Sequence, residues 1–351
     1  MSALRIAIQM DPIGSIKPGS DSTLLLGLEA QKRGHALYYY TPDKLSWHDG
    51  KITALAQPIT LHADPEHYYD LGKTLTLDLK TVDVVLLRQD PPFNMAYIST
   101  TYILEQLMQI PPPAGGRLGG GQSCSSIDAV PNSPPPQPSP CGGGSKRPLV
   151  VNNPTSVRNH AEKLFPAQFH EFTPPTLVTA DVKEIEHFRK SHKDIVIKPL
   201  YGFGGHSVFR VRADDNNFNA LMEMIFSESK EPWVVQPFLP DVKTGERRII
   251  LIDGKFAGLI GRIPAEDDFR ANMRVGGTPV KAELTQKQRK LCDALGPVLK
   301  EKGIFFAGID VIGDYLTEIN ITSPTGIAPV NKLYGKNLAA DFWDAVERYI
   351  V

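Results

Sequence analysis

Three oxygen-bearing side chains lie close together in the stretch GIDVIGDYLTEINITSPTG, residues 308–326. Asp310, Glu318 and Asn320 offer carboxylate and amide oxygens, which are the ligands that Mg²⁺ prefers in proteins. A two-residue turn between two strands would place Glu318 among apolar side chains, which is costly for a carboxylate. A three-residue turn, Gly-Asp-Tyr, instead places Asp310 opposite Glu318 and gathers the apolar side chains on the other face. We therefore predict this register and a Mg²⁺ site, with an exposed polar hairpin face as the alternative.

A lysine and a group of glycines could bind phosphate in the stretch IVIKPLYGFGGHSVFR, residues 195–210. Lys198 ends an apolar run, and three glycines follow it: Gly202, Gly204 and Gly205. The stretch has neither the Gly-Lys-Ser/Thr of a P-loop nor a Gly-x-Gly-x-x-Gly that opens a helix. Lysine is nevertheless a common phosphate ligand, and the N–H groups of a glycine-rich turn form an anion-binding concavity. With Lys163, the stretch suggests a phosphate site, although the glycines alone are equally typical of a plain turn.

Arginines recur in the second half of the chain, at Arg248, Arg262, Arg270 and Arg274. The last two flank Asn272 within a polar stretch, residues 263–279, that ends near Gly276 and Gly277. Loops of this length inside compact domains are often active-site lids. Solvated surface arginines are the alternative, and we favour that alternative for Arg274.

Alternating strands and helices in the first third of the chain would position a second group of polar residues. Strands are predicted at 4–9, 36–40, 82–87 and 149–152, and helices at 21–34 and 97–108. This alternation predicts a parallel, doubly wound α/β sheet, in which ligands meet the loops at the carboxyl ends of the strands. Asp11, Arg88 and Asp90 follow such strands. Ordinary polar turns containing proline are the alternative for each of them.

The second half of the chain mixes hairpins with helices and predicts an α+β domain attached to the first. Helices are predicted at 157–165, which would carry Lys163, and at 218–227, 285–302 and 337–351. Strands are predicted at 195–199, 207–211, 233–238, 247–252 and 256–262, with two more between 304 and 321. We therefore expect an α/β domain at 1–108 and an α+β domain at 149–351.

The stretch between these two parts, residues 109–148, is rich in proline, glycine and serine. It has few apolar side chains to bury and is predicted to be a disordered insertion. It contains Cys124 and Cys141, and the third cysteine of the chain is Cys292. Three cysteines without metal-ligand spacing favour a reduced, cytoplasmic protein.

Bulk composition excludes several classes of protein. The 351 residues include 38 basic and 39 acidic side chains, for a net charge of −1. No basic block stands out, so nucleic acid is not an expected partner. No apolar stretch approaches the roughly 20 residues of a membrane span, and the first residues lack a signal-peptide layout. We expect neither a membrane nor a secretory location.

Taken together, these stretches resemble the ATP-grasp fold, and within it the bacterial glutathione synthetase family. The likeness covers nearly the whole chain outside the insertion, where the family has a short connection. The motifs that carry it are MDP (10–12), RQDPPF (88–93), VNNP (151–154), EKL (162–164), IKPLYGFGG (197–205), QPFLP (236–240), GERR (245–248), RIP (262–264), RAN (270–272), GG (276–277), GID (308–310) and TEINITSPT (317–325).

The resemblance implies an ATP-dependent ligase that joins γ-glutamylcysteine to glycine. ATP would phosphorylate the cysteinyl carboxylate, and the amine of glycine would attack the acyl phosphate to release ADP, phosphate and glutathione. The implied cofactors are ATP and Mg²⁺, with Mn²⁺ as the alternative metal, and the implied assembly is a homotetramer.

Roles for individual residues follow from the same resemblance. Catalysis falls to Arg248, Lys198 and Arg262, with Arg248 stabilising charge on the acyl phosphate and the tetrahedral intermediate. A lid at 163–240 would hold ATP through Lys163, Lys198, Gly202, Gly204, Gly205, Gln236, Phe238 and Leu239. Substrate contacts are implied for Asp11, Arg88, Asp90, Arg270, Asn272, Gly276, Gly277, Ser323 and Thr325. A flap at 263–279 would close over the acyl phosphate and exclude water.

Two alternatives remain open from the sequence. The first is another ATP-grasp carboxylate–amine ligase, such as a D-alanine–D-alanine or glutamate ligase, against which the RQDPPF motif weighs. The second is an ATP-binding protein without turnover, disabled by its insertion. The presence of Asp310, Glu318, Asn320, Lys198 and Arg248 argues against the second.

Overall fold

The computed structural model describes residues 2–108, 147–228 and 230–350, so the predicted insertion lies almost wholly outside the described residues. Its two flanks meet, because the Arg147 guanidinium donates to the carbonyl of Met108 at 2.8 Å. The elements up to residue 159 are β1 (Arg5–Gln9), α1 (Ser22–Lys32), β2 (Ala36–Tyr40), β3 (Leu45–His48), β4 (Lys51–Leu61), β5 (Tyr69–Leu71), β6 (Leu75–Asp78), β7 (Val84–Leu87), α2 (Met95–Glu105), β8 (Leu149–Val151) and α3 (Pro154–Asn159).

The remaining elements form the second half of the molecule. They are β9 (Leu177–Thr179), α4 (Val182–His192), β10 (Ile195–Pro199), β11 (Phe209–Val211), α5 (Phe218–Glu228), β12 (Trp233–Pro237), β13 (Glu246–Ile252), β14 (Lys255–Ile263), β15 (Thr278–Val280), α6 (Gln286–Glu301), β16 (Phe306–Ile312), β17 (Tyr315–Asn320), α7 (Ile327–Tyr334) and α8 (Leu338–Ile350).

The first sheet has the strand order β3-β4-β2-β1-β7-β8, and β5 and β6 also pair with β4. Strands β2, β1, β7 and β8 run parallel, while β4 pairs antiparallel with β2. Side chains of α1 and α8 cover one face, and side chains of α2 cover the other. Burial on both faces explains why β7 is a continuous apolar run. The predicted doubly wound parallel sheet is confirmed, and the antiparallel extension at residues 45–78 was not predicted.

Two antiparallel sheets make up the second half. The smaller one, β11-β10-β12-β9, packs its apolar face against α4 and α5. The larger one, β15-β14-β13-β16-β17, is buried on both faces. Ile249 and Leu251 of β13 pack in one apolar cluster with α6, and Ile250 and Ile252 pack in another with α7 and α8. This arrangement confirms the predicted α+β half.

The predicted helix at 157–165 is wrong in its bounds. Helix α3 begins at Pro154, because Asn153 caps it by accepting from the N–H of Ser156 and proline suits a first helical position. The helix ends at Asn159, since His160 adopts an extended conformation. Lys163 therefore lies in a turn after the helix. Among the described residues, no helix has both the length and the apolar character needed to cross a membrane.

Candidate active site

The hairpin of β16 and β17 has the predicted register with a different turn. Asp310 faces Glu318 and Gly308 faces Asn320, as predicted. The turn, however, has two residues, with a positive φ of 58° at Gly313 that suits the first position of such a turn. A β-bulge beside Asp310 absorbs the extra residue, Thr317. The register is confirmed, and the predicted three-residue turn is wrong.

Asp310 is the centre of a buried charge network. Its carboxylate accepts from Nε and Nη2 of Arg248 at 2.6 and 2.8 Å and from Nη2 of Arg262 at 2.8 Å. Nδ2 of Asn320 lies 3.3 Å from the same carboxylate. Burial alone would raise the pKa of Asp310, but the two arginines lower it to about 2. The carboxylate is therefore ionised and orients Arg248 with a two-pronged contact.

A second buried carboxylate, Glu246, extends this network. It lies opposite Arg262 in the β13–β14 pair and accepts from Nη2 of that arginine at 2.5 Å. Burial raises the pKa of Glu246 to about 7, against the opposing effect of Arg262. Sequence reasoning missed Glu246 as a site residue. The GERR motif was the available signal for Glu246, and its pairing with Arg262 could be recognised only once the strand pairing was known.

Two lysines lie between the small and the large antiparallel sheets. Nζ of Lys163 lies 3.2 Å from Oε1 of Glu318 and donates to the carbonyl of Gly202. Nζ of Lys198 lies 3.4 Å from the carbonyl of Thr317. Burial lowers the pKa of Lys198, and Glu318 counters that effect. Both ammonium groups therefore lie beside the same carboxylate, under the glycine-rich loop that joins β10 and β11.

A cleft of about 820 Å³, including its solvent-open mouth, lies under this loop. All eight residues predicted for ATP line it: Lys163, Lys198, Gly202, Gly204, Gly205, Gln236, Phe238 and Leu239. Gly204 and Gly205 have φ angles of 65° and 82°, which glycine adopts without strain. Opposite them, the guanidinium of Arg270 donates to the carbonyl of Gly205 at 2.9 Å. The stretch at 263–279 therefore packs directly against the glycine-rich loop.

A second cleft, about 680 Å³ including its mouth, adjoins the first. Both clefts share Phe203, Gly204, Asn272 and Glu318 as walls. The second also takes in several of the predicted catalytic, metal and substrate residues: Asp90, Arg248, Arg262, Asn320, Ser323 and Thr325. Glu318 of the β16–β17 hairpin therefore lies where the cleft that contains Lys163 and Lys198 meets the cleft that contains Arg248 and Arg262.

Several predicted substrate residues do not line the second cleft. Arg88 is buried, where it donates to the hydroxyl of Thr23 at 3.0 Å and to the carbonyl of Pro324 at 2.9 Å. Burial lowers the pKa of Arg88. Asp11 accepts from the N–H of Asp90 at 2.7 Å. In this structure these side chains support the loops that carry Asp90 and residues 323–325.

Three further predicted substrate residues belong to the 263–279 stretch. Arg270 is ion-paired with Asp268 at 2.7 Å and lines the first cleft. Gly276 has a φ of 101°, and a Cβ on Gly277 would lie only 2.0 Å from the carbonyl oxygen of Ala271. The two glycines therefore permit a tight turn.

Arg274 and Glu162 were not predicted as site residues. Arg274 is half exposed, as expected for a surface arginine, yet Nη2 pairs with Asp90 at 2.7 Å across the second cleft. Glu162 accepts from the N–H groups of Ile321 and Thr322, and burial together with Glu318 raises its pKa. The EKL motif was the available signal for Glu162. For Arg274 the signal was its place in the arginine series, but its partner Asp90 is 184 residues away and could not be recognised from the sequence.

The donor set at this hairpin fits a hard divalent ion such as Mg²⁺. Glu318 and Asn320 offer carboxylate and amide groups at the wall of the second cleft. Asp310 borders neither cleft, and its oxygens already receive four donors, which is the capacity of a carboxylate. A metal ion could therefore contact Asp310 only if one of these donors gave way.

The stacked antiparallel sheets, with lysines and a glycine-rich loop at the cleft between them, define an ATP-grasp enzyme, an ATP-dependent carboxylate–amine ligase. The solved structure of the D-cycloserine synthetase DcsG has the same fold, with a TM-score of 0.61 at 14% identity, covering 98% of this chain and 99% of that one. Family models describe residues 4–110 as the N-terminal domain of prokaryotic glutathione synthetase and residues 162–335 as its ATP-grasp domain.

Curated relatives agree with the family models. A glutathione synthetase of Rhodopseudomonas palustris is 46% identical over 344 residues, covering 98% of each chain. A glutathione synthetase of Vibrio parahaemolyticus is 36% identical over 348 residues, covering 99% of each chain. The chain belongs to the prokaryotic glutathione synthetase family.

Proposed function

We propose that this chain joins γ-glutamylcysteine to glycine through an acyl phosphate, with release of ADP and phosphate. The observation that carries the proposal is the common wall of the two clefts at Gly204, Asn272 and Glu318. A nucleotide in the first cleft and a carboxylate in the second would meet there. Phosphoryl transfer needs this kind of positioning, together with charge neutralisation, more than it needs a protein nucleophile.

On the nucleotide side, Lys163 and Lys198 neutralise phosphate charge, and the backbone of Gly202, Gly204 and Gly205 covers the phosphates. Gln236, Phe238 and Leu239 line the part of the first cleft that binds the adenine ring. Lys163 contacts the Gly202 carbonyl and Glu318. When a phosphate binds, its oxygens would replace these two partners of Lys163. The glycine-rich loop then becomes ordered around the nucleotide.

On the acyl side, Arg248 and Arg262 stabilise the negative charge that develops on the acyl phosphate and the tetrahedral intermediate. Arg248 is held for this role by Asp310, and Arg262 by Glu246. Asp90, Asn272, Ser323 and Thr325 bind the substrates. Asp11, Arg88, Arg270, Gly276 and Gly277 serve the same purpose by shaping the loops that carry these groups.

Glu318 and Asn320, with Asp310 after rearrangement, would hold Mg²⁺ or Mn²⁺, and the ion would supply positive charge that neutralises phosphate oxygens. The stretch at 263–279 excludes water, because it packs against the glycine-rich loop where the clefts meet. We also propose that the protein is a cytoplasmic homotetramer. Residues 1–108 form the substrate-binding domain, and residues 149–351 form the ATP-grasp domain. These assignments rest on the family resemblance.

An isotope experiment tests both the substrates and the intermediate. γ-Glutamylcysteine labelled with ¹⁸O in the cysteinyl carboxylate is incubated with ATP, Mg²⁺ and glycine. We expect glutathione by mass spectrometry and one ¹⁸O atom in each released phosphate. The amine attacks the acyl carbon, the bond from that carbon to the bridging oxygen breaks, and the phosphate leaves with this carboxylate oxygen. Unlabelled phosphate alongside glutathione would contradict the acyl phosphate.

Substrate controls separate the alternatives. Phosphate release with two D-alanines, but not with γ-glutamylcysteine and glycine, would refute the proposed substrates in favour of another ATP-grasp ligase. ATP binding without release with either pair would support a protein without turnover. Glu318→Gln tests the metal assignment. It keeps the size of the side chain and removes the charge beside Lys163, so it should lose turnover with γ-glutamylcysteine and glycine.

A further inference from the structure

A second group of potential metal ligands lies on the first sheet, with His62 and His67 in the loop between β4 and β5 and Asp70 in β5. Nε2 of His62 lies 2.7 Å from Oδ2 of Asp70, and Nε2 of His67 lies 3.2 Å from Oδ1. Within the described ranges, this is the group of three His, Cys, Asp or Glu residues whose ligand atoms lie within 4.8 Å of one another. None of these residues lines either of the two clefts described above.

The spacing of these atoms fits a small transition-metal ion. Zn²⁺ binds imidazole nitrogen at about 2.0–2.1 Å and carboxylate oxygen at a similar distance, so neighbouring ligands of a tetrahedral site lie about 3.3 Å apart. The 3.2 Å distance is close to this edge, whereas the 2.7 Å distance is that of a hydrogen bond and would lengthen when an ion replaces the proton. Mixed imidazole and carboxylate ligands suit Zn²⁺ and its neighbours better than Mg²⁺. Three protein ligands would leave a fourth position for water.

The geometry is specific to this group and differs from an ordinary surface ion pair. The two imidazoles are nearly parallel, with centroids 5.2 Å apart and an interplanar angle of 27°, and both direct Nε2 to one carboxylate. By contrast, His48 and Asp49 on the same sheet form a single pair at 3.6 Å.

We propose that His62, His67 and Asp70 bind one divalent transition-metal ion of the Zn²⁺ class. The ion would tie the end of β4 to the start of β5 and so fix the loop between them. Next to this loop, the hydroxyl of Tyr68 donates to the carbonyl of Ile13 at 3.0 Å. Metal binding would therefore also restrain the turn that begins at Ile13, shortly after Asp11.

Calorimetric titration of the full chain with Zn²⁺ tests the proposal. Saturating Mg²⁺ is added first, so that the oxygen ligands at Glu318 and Asn320 do not contribute. We compare the wild-type protein with His62→Gln, with His67→Gln and with the matched control His48→Gln. The substituted side chains are at least about a third exposed, so the variants should fold normally.

We expect one Zn²⁺ per wild-type chain and an affinity at least about tenfold weaker in the His62 and His67 variants, with no change in the His48 variant. Added Zn²⁺ should also raise the melting temperature of the wild-type and His48 proteins, and not that of the other two. Equal affinity in all four proteins, or no Zn²⁺ bound by the wild type, would overturn the proposal.

Discussion

Substitution of Asp310 by asparagine should abolish ligation and also weaken the fold. Asp310 is about 1% exposed and receives a two-pronged contact from Arg248 and a third contact from Arg262. An asparagine of the same shape would leave two buried guanidinium groups with Glu246 as their remaining close carboxylate. The cost comes from the uncompensated positive charge, since the volume is unchanged.

The size of the effect follows from the burial of these groups. Removing one partner of a buried ion pair typically costs about 3–5 kcal/mol of unfolding free energy. For a folding unit of about 200 residues, each kcal/mol lowers the melting temperature by about 2–4 °C, so we expect a decrease of roughly 6–20 °C. Glu318→Gln should lower the melting temperature far less, because Glu318 is partly exposed and makes one direct ion pair among the described residues, with Lys163.

The assay is thermal unfolding by differential scanning calorimetry, together with phosphate release from ATP with both substrates. A double variant, Arg248→Met with Asp310→Leu, serves as the control. Replacing a buried ion pair by apolar side chains is often neutral, so this variant should recover much of the stability while remaining inactive. A melting temperature for Asp310→Asn within about 2 °C of wild type would refute the charge network. Turnover near the wild-type rate would refute its catalytic role.

Three further predictions concern separate parts of the chain. Burial raises the pKa of Glu246 from 4.5 to about 7, so its contribution to stability is complete below pH 4.5 and is lost as the pH rises through 7. In the wild type, the free energy of unfolding should therefore be lower at pH 8 than at pH 5, and Glu246→Gln should remove this difference. Urea titrations at the two pH values measure it. Gly308→Ala should slow turnover in the phosphate-release assay, because the added Cβ would lie 3.2 Å from the Arg248 side chain. Gly19→Ala is the control and should leave turnover unchanged, since a Cβ there meets nothing within 4 Å. Replacement of residues 109–146 by a short glycine-serine linker should leave turnover unchanged, because the flanks already meet; a large loss of activity would contradict this.

The sequence predicted much of the fold because the apolar patterns were regular. Strands β1, β2, β7 and β10 and helix α6 fall within two residues of their predicted bounds at each end. The register of Asp310 against Glu318 was also predictable, since any other pairing would have exposed the wrong face. Whether the extra residue lay in the turn or in a bulge could not be decided, because either choice shifts the register by one residue.

Other features depend on distant partners and escaped prediction. Strand β4 contains Pro58, which argues against a strand within a sheet, and its buried positions are partly alanine. The contacts of Arg274 with Asp90 and of Arg88 with Pro324 join residues that are far apart in sequence. Local patterns do not encode such pairs, so Arg88 was predicted to contact substrate and is buried in this structure.

Helix α8 packs with α1 against one face of the first sheet, although it is some 300 residues further along the chain. The indole of Trp343 donates to the carbonyl of Leu26 at 2.7 Å, and Glu347 contacts both Arg33 and His35. During synthesis, the part of this face that α8 covers therefore remains exposed until residues 338–350 have left the ribosome. The amino-terminal part then cannot mature as an independent unit while translation continues, and exposed Leu26 and Leu37 would be natural contacts for a chaperone in that interval.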